Sequence, residues 1–305
     1  MKRLTLLLIL GAWLVPFAAW GMTNTGLKLG VGMKYFAEEG TELSLAEARQ
    51  RFTEQNVQTG ESEPLSFGYS DQTYWFHEEI SAGVMPEDSV LILGYPLIDY
   101  VELYVVQGET VKRFNGGDER VFGERLIESP DFVFPIRLSN EVSTDIYLKM
   151  RTTSSFQVPL SVVSESSYFR GVPSQSVAMG MYFGIIFIMA LYNFIIFTST
   201  RERLFFLYVL YAVSWGLLQT TIRGYGYQYL WPNSPDWNSV APVVVGNLAG
   251  VGMFGFCREF LSLRIVLPQM DKVLKFGIGI FAISVLLAFW IPYSVGIRVF
   301  MVNCI

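Results

Sequence analysis

VAMGMYFGIIFIMALYNFIIF, at residues 177–197, decides the fold because none of its residues is charged. An α-helix rises about 1.5 Å per residue, so a helix made from this stretch crosses the roughly 30 Å hydrocarbon core of a bilayer. The chain has 305 residues, and 51% of them are hydrophobic, which also indicates a membrane-embedded part. We therefore predict a domain outside the membrane before this stretch and a helical bundle after it.

Further uncharged runs lie at residues 204–221, 240–257 and 276–293, and each is long enough to cross the bilayer. The apolar residues 295–305 are too few to cross, so we expect a fifth span of which only a part is present. The predicted membrane region is thus residues 177–305, with four full spans and part of a fifth. The lipid bilayer is its expected partner.

Residues 1–21 have the pattern of a signal peptide, with two basic residues, an apolar core and small residues at the cleavage positions. An uncleaved anchor is the alternative, and residues 22–170 are exported in either case. The predicted links after the first and third spans hold six basic residues, whereas the link between the second and third spans holds only Arg223. The positive-inside rule then predicts a multi-pass inner-membrane protein whose N-terminal domain lies in the periplasm.

The exported part contains short runs of alternating apolar and polar residues, rich in β-branched and aromatic types. Seven such runs predict an all-β jelly roll or β-sandwich with its core at about residues 35–165, followed by the α-helical transmembrane bundle. One helix is expected at residues 44–52, where Ser44 and Glu47 form a capping box. The predicted strands are residues 72–80, 89–96, 99–107, 109–114, 131–139, 144–152 and 158–164.

Charge and residue content exclude several functions for the exported part. Residues 22–170 carry 23 acidic and 12 basic residues, which makes nucleic acid a poor partner. Both cysteines, Cys257 and Cys304, lie in the membrane region, and His77 is the only histidine. A site built from several histidines or from thiols, and a histidine-based catalytic triad, are therefore ruled out. We expect no metal and no cofactor.

The stretch RFNGGDERVF, residues 113–122, contains four of the five letters of GGDEF, the signature of enzymes that make a cyclic dinucleotide from GTP. That activity needs an α/β domain and GTP on the same side of the membrane, whereas this stretch lies between two predicted strands outside the cytoplasm. Arg120 also replaces the phenylalanine. We therefore interpret Asn115, Gly116 and Gly117 as a tight turn and predict no catalytic residue.

Three residues on one predicted strand are candidates for ligand binding. Tyr100, Glu102 and Tyr104 share one face because side chains alternate along a strand. Two aromatic rings beside a carboxylate suit a sugar, which stacks on rings and donates its hydroxyls, although a solvent-exposed strand face gives the same pattern. Trp75, on another strand, is expected to be a buried anchor.

In the membrane region, the polar and small residues predict contacts between helices. Asn193 lies near the cytoplasmic end of the first span, and we expect its amide to bond a neighbouring helix, either as structural glue or as part of a switch. Four glycines in the third span predict close helix packing, namely Gly246, Gly250, Gly252 and Gly255. An aromatic belt at the outer interface is predicted from Tyr225, Tyr227, Tyr229, Trp231 and Trp237.

An ordered series of motifs runs from about residue 35 to the end of the chain. The motifs are FGYSDQTYWFH (67–77), GYPLIDYVELYVV (94–106), GGDERVFGER (116–125), FPIRL (134–138), YLKMRTTSSFQVPLSV (147–162), GIIFIMALYNFIIF (184–197), RLFFLYVLY (203–211), GYGYQYLWP (224–232) and FCREFLSL (256–263). By these motifs the chain resembles bacterial seven-transmembrane receptors with diverse intracellular signalling modules (7TMR-DISM), with a type 2 extracellular domain.

The resemblance implies a receptor whose exported jelly roll binds a small ligand, with carbohydrate-like ligands favoured. It also implies a cytoplasmic output domain, such as a GGDEF cyclase or a histidine kinase, in the intact protein; that domain and the last spans are absent from these residues, so we predict no enzyme activity for them. Arginines within the motifs become ligand candidates, with surface ion pairing as the alternative: Arg125, Arg137 and Arg151.

Two other interpretations of the same sequence stay open: a binding protein without an output domain, and the N-terminal sensor part of a GGDEF diguanylate cyclase or a histidine kinase. A membrane-tethered binding protein without an output domain would have the same two regions, and a homodimer is compatible with either reading. The connector ESSYFRGVPSQS, residues 165–176, is the covalent link between the exported domain and the bundle. We predict that lengthening it uncouples signalling without abolishing ligand binding, because a ligand acts on the bundle only through such a link.

Overall fold

The computed structural model describes residues 26–40, 42–54, 57–291 and 293–303. The predicted signal peptide at residues 1–21 and Cys304 lie outside the described residues. Twelve strands precede the long helices. They are β1 Leu27–Leu29, β2 Lys34–Ala37, β3 Gln58–Thr59, β4 Leu65–Tyr69, β5 Tyr74–Ile80, β6 Asp88–Leu93, β7 Tyr100–Gln107, β8 Thr110–Gly116, β9 Phe132–Arg137, β10 Thr144–Arg151, β11 Ser155–Val158 and β12 Leu160–Ser164.

Ten of the strands form two antiparallel sheets that face each other, which confirms the predicted sandwich, and β4 pairs with β11 in a separate two-stranded sheet. The four-stranded sheet has the order β1-β12-β6-β9, and the six-stranded sheet has the order β3-β2-β5-β10-β7-β8. Inward-facing apolar side chains of both sheets, such as Leu91, Leu103, Phe134 and Leu148, form the main core. All seven predicted strands are present, while β1 to β4 and β11 were not predicted from the sequence.

The stretch RFNGGDERVF does not form the turn that the sequence predicted. Asn115 and Gly116 continue strand β8 and pair with Glu102 and Val101 of β7. The tight turn of this hairpin is at Gly108, which has a φ of 58°. Asn115 and Gly116 are residue types that favour a turn, but their pairing with β7 keeps them in an extended strand. The prediction was therefore wrong.

The outward faces of both sheets are partly covered by helices. Helix α1, Leu45–Thr53, begins at the predicted capping box of Ser44 and Glu47 and packs Phe52 against the six-stranded sheet. Helix α2, Glu165–Thr200, packs Tyr168 against the four-stranded sheet. The connector predicted at residues 165–176 is therefore helical and continuous with the first span.

The remaining helices are α3 Arg203–Ile222, α4 Tyr225–Tyr229, α5 Pro235–Phe260, α6 Leu263–Val266, α7 Pro268–Leu287 and α8 Tyr293–Asn303. Among the described helices, α2, α3 and α5 are long and apolar enough to cross a membrane. The fourth predicted span, residues 276–293, is not one helix, since α7 begins earlier and ends at Leu287. Its first turns carry Asp271, Lys272 and Lys275, so the fourth and fifth spans stay predictions.

The four glycines of α5 pack as the sequence predicted. A side chain at any of them would collide with a neighbouring helix, because a Cβ atom would lie 2.6 Å from Phe300 at Gly246 and 2.7 Å from the backbone of Tyr211 at Gly252. Gly250 and Gly255 are equally close to Phe281 and Leu207. Small residues thus let α3, α7 and α8 approach α5 closely.

Candidate functional site

The uncovered part of the six-stranded sheet carries an open depression of about 300 Å³, which we call the outer pocket. Helix α1 covers one side of the outward face, and the outer pocket lies on the other side, near the ends of β7 and β10. Both strands belong to the rigid sheet, so the side chains around the outer pocket are held in fixed positions. The lining residues are Glu38, Gly40, Glu42, Thr73, Tyr100, Lys149 and Arg151.

Strand register brings the lining side chains together. On the outward face, Lys149 of β10 stands opposite Trp75 of β5 on one side and Glu102 of β7 on the other. Two residues further along the same strands, Arg151 stands opposite Tyr100. Directly opposite residues in an antiparallel sheet have their Cβ atoms about 5 Å apart, so these side chains form one continuous polar row.

Glu102 is at the centre of this row and is 4% exposed. Its carboxylate accepts hydrogen bonds from the Tyr100 hydroxyl, from Arg113 and from the Tyr104 hydroxyl, the last at 2.6 Å. Burial raises the pKa of Glu102, but the three donors outweigh that effect and hold the pKa below its ordinary value. Burial and the Glu102 carboxylate raise the pKa of Tyr100 to about 12. The cluster is therefore a carboxylate held by protonated hydroxyls.

Lys149 supplies the positive charge on the floor of the outer pocket. Its ammonium lies 2.9 Å from Glu42 and 3.6 Å from Glu38, and 5.5 Å above the ring of Trp75. The Trp75 indole donates a hydrogen bond to the Glu38 carboxylate at 3.3 Å. The hydrogen bond from Lys149 lowers the pKa of the Glu42 carboxyl, so Glu42 stays ionised at neutral pH. A buried ammonium held by two carboxylates is a fixed polar group rather than a surface charge.

Of the three predicted arginines, only Arg151 lies at the outer pocket. Its side chain is 49% exposed, and its guanidinium is 3.7 Å from the Glu119 carboxylate. Arg137 is on the other sheet, exposed and paired with Glu87 and Asp88, so the surface-pairing reading holds there. Arg137 does not lie at the outer pocket, because its strand β9 is the edge strand of the four-stranded sheet.

Arg125 is also absent from the outer pocket. Its guanidinium is buried against the rings of Phe122 and Phe132 and donates to the carbonyl oxygens of Ser129, Pro130 and Asp131, at 2.7 to 3.3 Å. Burial lowers the pKa of Arg125 to about 10, so it remains charged at neutral pH. The arginine fixes the backbone of the segment before β9 and is a structural residue.

Sequence reasoning missed Lys149, Glu38 and Glu42. The signal for Lys149 was present in YLKMR, where a lysine occupies a position of a central strand whose neighbours are buried. Trp75 is fully buried, which confirms its predicted role as an anchor, and it stacks on Tyr104 with ring centroids 6.0 Å apart. Tyr100, Glu102 and Tyr104 share one face as predicted, and their hydroxyls and carboxylate bond one another.

A second polar site lies where the exported domain meets the helical bundle. The segment at residues 117–124, which we call the docking loop, contacts the outer ends of the helices. The backbone N–H of Phe122 donates to the Pro232 carbonyl at 3.0 Å, and the Tyr227 hydroxyl donates to the carbonyl of Arg120. The side-chain amide of Asn238, on α5, lies 3.4 Å from the Asp118 carboxylate. The two domains are therefore in direct contact.

A cavity of about 150 Å³ lies beside this contact, and residues of both domains line it. Asp99 and Ser154 come from the sandwich, whereas Asn238 and Tyr293 come from the helices. The Tyr293 hydroxyl donates to the Ser154 hydroxyl at 3.4 Å. Among the described residues, no group of three or more His, Cys, Asp or Glu side chains is placed to hold a metal ion.

The predicted aromatic belt and Asn193 need correction. Tyr227 is buried against the docking loop, with its ring edge-on to Phe122, so it serves the contact between the domains instead of the lipid interface. Tyr229 is 70% exposed, as expected for a belt residue.

The Asn193 amide donates to the Met189 carbonyl of its own helix at 2.9 Å, because that carbonyl lies one turn away. The bond to a neighbouring helix that the sequence predicted is not the one found.

A β-sandwich that rests on the ends of apolar helices is the architecture of a membrane protein with a domain outside the bilayer. Two family profiles match the chain side by side: "7TMR-DISM extracellular 2" at residues 30–164 and "7TM diverse intracellular signalling" at residues 175–305. The chain belongs to the 7TMR-DISM family. Its N-terminal domain is thus the sensor part of a membrane protein.

Comparisons with individual proteins add little to this assignment. None of the curated proteins compared with the chain is significantly similar to it in sequence. One similar solved structure is described as "Structural basis for the promiscuous specificity of the carbohydrate-binding modules from the beta-sandwich super family". It has 12% identity and a TM-score of 0.19, and the match covers 47% of this chain and 57% of that one. A likeness this weak carries no argument about function.

Proposed function

We propose that this receptor senses a small, uncharged, hydroxyl-rich ligand of carbohydrate type in the outer pocket. The observation that carries the proposal is the composition of the pocket lining, in which two carboxylates, Glu38 and Glu42, balance two cations, Lys149 and Arg151. A balanced lining gives little net attraction to an anion or a cation, while its donors and acceptors suit hydroxyl groups. The ring of Tyr100 adds an apolar surface for a sugar to stack on.

The site also lies on the path to the membrane. Tyr100 begins β7 and Arg151 ends β10. The residues next to them in sequence are hydrogen-bonded to each other near the docking loop, since the Thr152 hydroxyl donates to the Asp99 carboxylate. A ligand held by Tyr100 therefore acts one residue away from Asp99, which lines the cavity between the two domains. We propose that helix α2 and the contact between the two domains pass the signal to a cytoplasmic output domain that is not part of these 305 residues.

In this proposal the sandwich lies in the periplasm and the helices lie in the inner membrane, as the sequence predicts from its basic links. The described residues bind and transmit, and no catalytic role is assigned to them. A homodimer also fits the proposal.

The pocket is tested by ligand-dependent stabilisation of the full chain in detergent. A panel of neutral mono- and oligosaccharides and of uronic acids is screened by thermal shift, since a ligand that binds the folded state raises the apparent stability. For any sugar that binds, Arg151→Gln is expected to weaken affinity about tenfold or more, because a hydrogen bond to a charged group contributes about 1.5–3 kcal/mol.

Arg137→Gln is the matched control, since Arg137 is an exposed arginine of the same sandwich that lies outside the outer pocket. It should bind the sugar with the affinity of the native chain. Equal affinity of both variants would contradict the pocket assignment. A panel in which uronic acids bind and neutral sugars do not would contradict the uncharged class.

A further inference from the structure

The side chain of Asp118 is an unusual feature of the contact between the two domains. The residue is 5% exposed, although it lies in a loop at the junction of a soluble domain and a membrane bundle. The carboxyl accepts a side-chain hydrogen bond from Asn238, at a long 3.4 Å, and one from its own backbone N–H, which also donates to the Ile98 carbonyl at 2.9 Å. A buried carboxylate without strong donors is costly, because it leaves water without replacing its hydrogen bonds.

Asp99, on the other side of the same cavity, shows the contrast. Its two carboxylate oxygens accept hydrogen bonds from Thr153 N–H at 2.8 Å, from the Thr153 hydroxyl at 2.7 Å and from the Thr152 hydroxyl at 3.2 Å. Asp99 therefore has the close donors that Asp118 lacks. The negative charge of Asp99 then acts on Asp118 across the cavity and favours the neutral form of Asp118.

Other charged and titratable groups face Asp118 from the elements around it. On the exported side, Glu119 adds a second repulsive charge, and Arg125 adds an attractive one that is already engaged with three carbonyl oxygens. On the membrane side, Tyr227 and Tyr293 approach with neutral hydroxyls. Tyr95 of the sandwich also faces Asp118. Burial, with the charge of Asp99 next in weight, raises the pKa of Asp118 to about 8.

We infer that Asp118 is a proton-binding site, and that the docking of the exported domain on the bundle is coupled to the uptake of one proton from the periplasmic side. The receptor then has external acidity as a second input. In the docked state the protonated carboxyl of Asp118 lies against Asn238, and in a released state the docking loop is hydrated and the carboxyl is ionised. This input does not depend on which ligand fills the outer pocket.

The sign of the effect follows from the two states. The docked Asp118 has a pKa of about 8, and a hydrated aspartate has a pKa of about 4. The docked state therefore binds more protons across this window, and docking strengthens as the pH falls through about 8 until it levels off near pH 4. One proton gives up to a tenfold change per pH unit, or roughly fifty-fold between pH 8 and pH 6.

The experiment measures hydrogen exchange of the full chain in lipid nanodiscs between pH 6 and pH 9. Protection factors, corrected for the intrinsic pH dependence of exchange, are followed in peptides that cover residues 117–124 and 225–238. We expect protection of both segments to rise roughly fifty-fold from pH 8 to pH 6 in the native chain. In Asp118→Asn, which is neutral at every pH, protection should not change with pH. Glu124→Gln removes an exposed acid of the same loop and should keep the native profile.

A pH-independent protection of the native chain would overturn the proposal, and so would an unchanged slope in Asp118→Asn. Infrared spectroscopy provides a measurement that does not need the variant to fold. The native chain should show a carboxylic-acid carbonyl band that disappears as the pH rises through about 8. Absence of such a band at pH 7 would also contradict a protonated Asp118 in the docked state, since Asp131, whose pKa burial raises to about 6, is mostly ionised there.

Discussion

Gly117 illustrates how one residue fixes the contact between the two domains. It has a φ of 136°, a backbone conformation that residues with a side chain rarely adopt, and a Cβ atom at this position would overlap the carbonyl oxygen of Asp99. The residue ends the pairing of β8 and turns the chain into the docking loop. Its conformation is thus what places Asp118 in the interface.

Gly117→Ala should destabilise the sandwich by about 1–3 kcal/mol from the backbone conformation alone, with a further cost from the overlap with Asp99. Chemical denaturation of the full chain in detergent measures the loss. Gly123→Ala is the matched control, because Gly123 is in the same loop and no atom lies within 4 Å of a Cβ placed there. If both variants were equally stable, the left-handed conformation of Gly117 would not be required.

At the level of residues, the sequence predicted which side chains of one strand share a face, because side chains alternate along a strand. Tyr100, Glu102 and Tyr104 share a face because neighbours two apart always do. Lys149 was missed as the opposite partner of Glu102, because the register between β7 and β10 depends on the whole sheet. Arg125 and Arg137 were chosen for their chemistry alone, and chemistry does not say to which face or edge a residue belongs.

At the level of elements, the strands with strong alternation were predicted and the short ones were not. β3 has two residues and β1 has three, so neither is long enough for a periodic pattern to appear. Helix α1 was predicted because its capping box is a local signal. The connector was recognised as a link, but its helical state was not predicted, since Pro173 lies within it and proline disfavours a helix interior.

The helical connector leads to a prediction about length. Insertion of seven helix-forming residues between Ser174 and Gln175 lengthens α2 by about two full turns, or about 10 Å. Because the turns are nearly whole, the same side of α2 still faces the sandwich, but the sandwich is moved away from the bundle. We expect faster hydrogen exchange in residues 117–124 and 225–238, with unchanged exchange in strands β5, β7 and β10. Sugar binding to the outer pocket should be retained, while coupling to the bundle is lost.

The double substitution Ser174→Ala and Gln175→Ala changes the two residues at the same site without changing the length of α2. It should leave exchange in both segments as in the native chain. Protection of residues 117–124 that survives the seven-residue insertion would show that docking does not depend on the length of α2. That result would contradict the role of the connector as a rigid spacer.

At the level of the whole molecule, composition predicted the division into an acidic sandwich and an apolar bundle. The contact between the two could not be predicted, because it joins residues far apart in sequence, such as Asp118 with Asn238 and Arg120 with Tyr227. Neither pair has a local pattern, and both depend on how two separately folded parts meet. The GGDER segment, which resembles a catalytic signature, instead provides the docking loop.

The most direct test of the account is the side of the membrane on which the sandwich lies. Lys112→Cys, on the exposed strand β8, and Glu202→Cys, in the link between α2 and α3, are introduced separately into a chain with Cys257→Ser and Cys304→Ser. An impermeant maleimide applied to spheroplasts should label the cysteine at position 112 and reach position 202 only after the inner membrane is permeabilised. Labelling of position 202 from outside, with position 112 protected, would contradict an extracytoplasmic sensor.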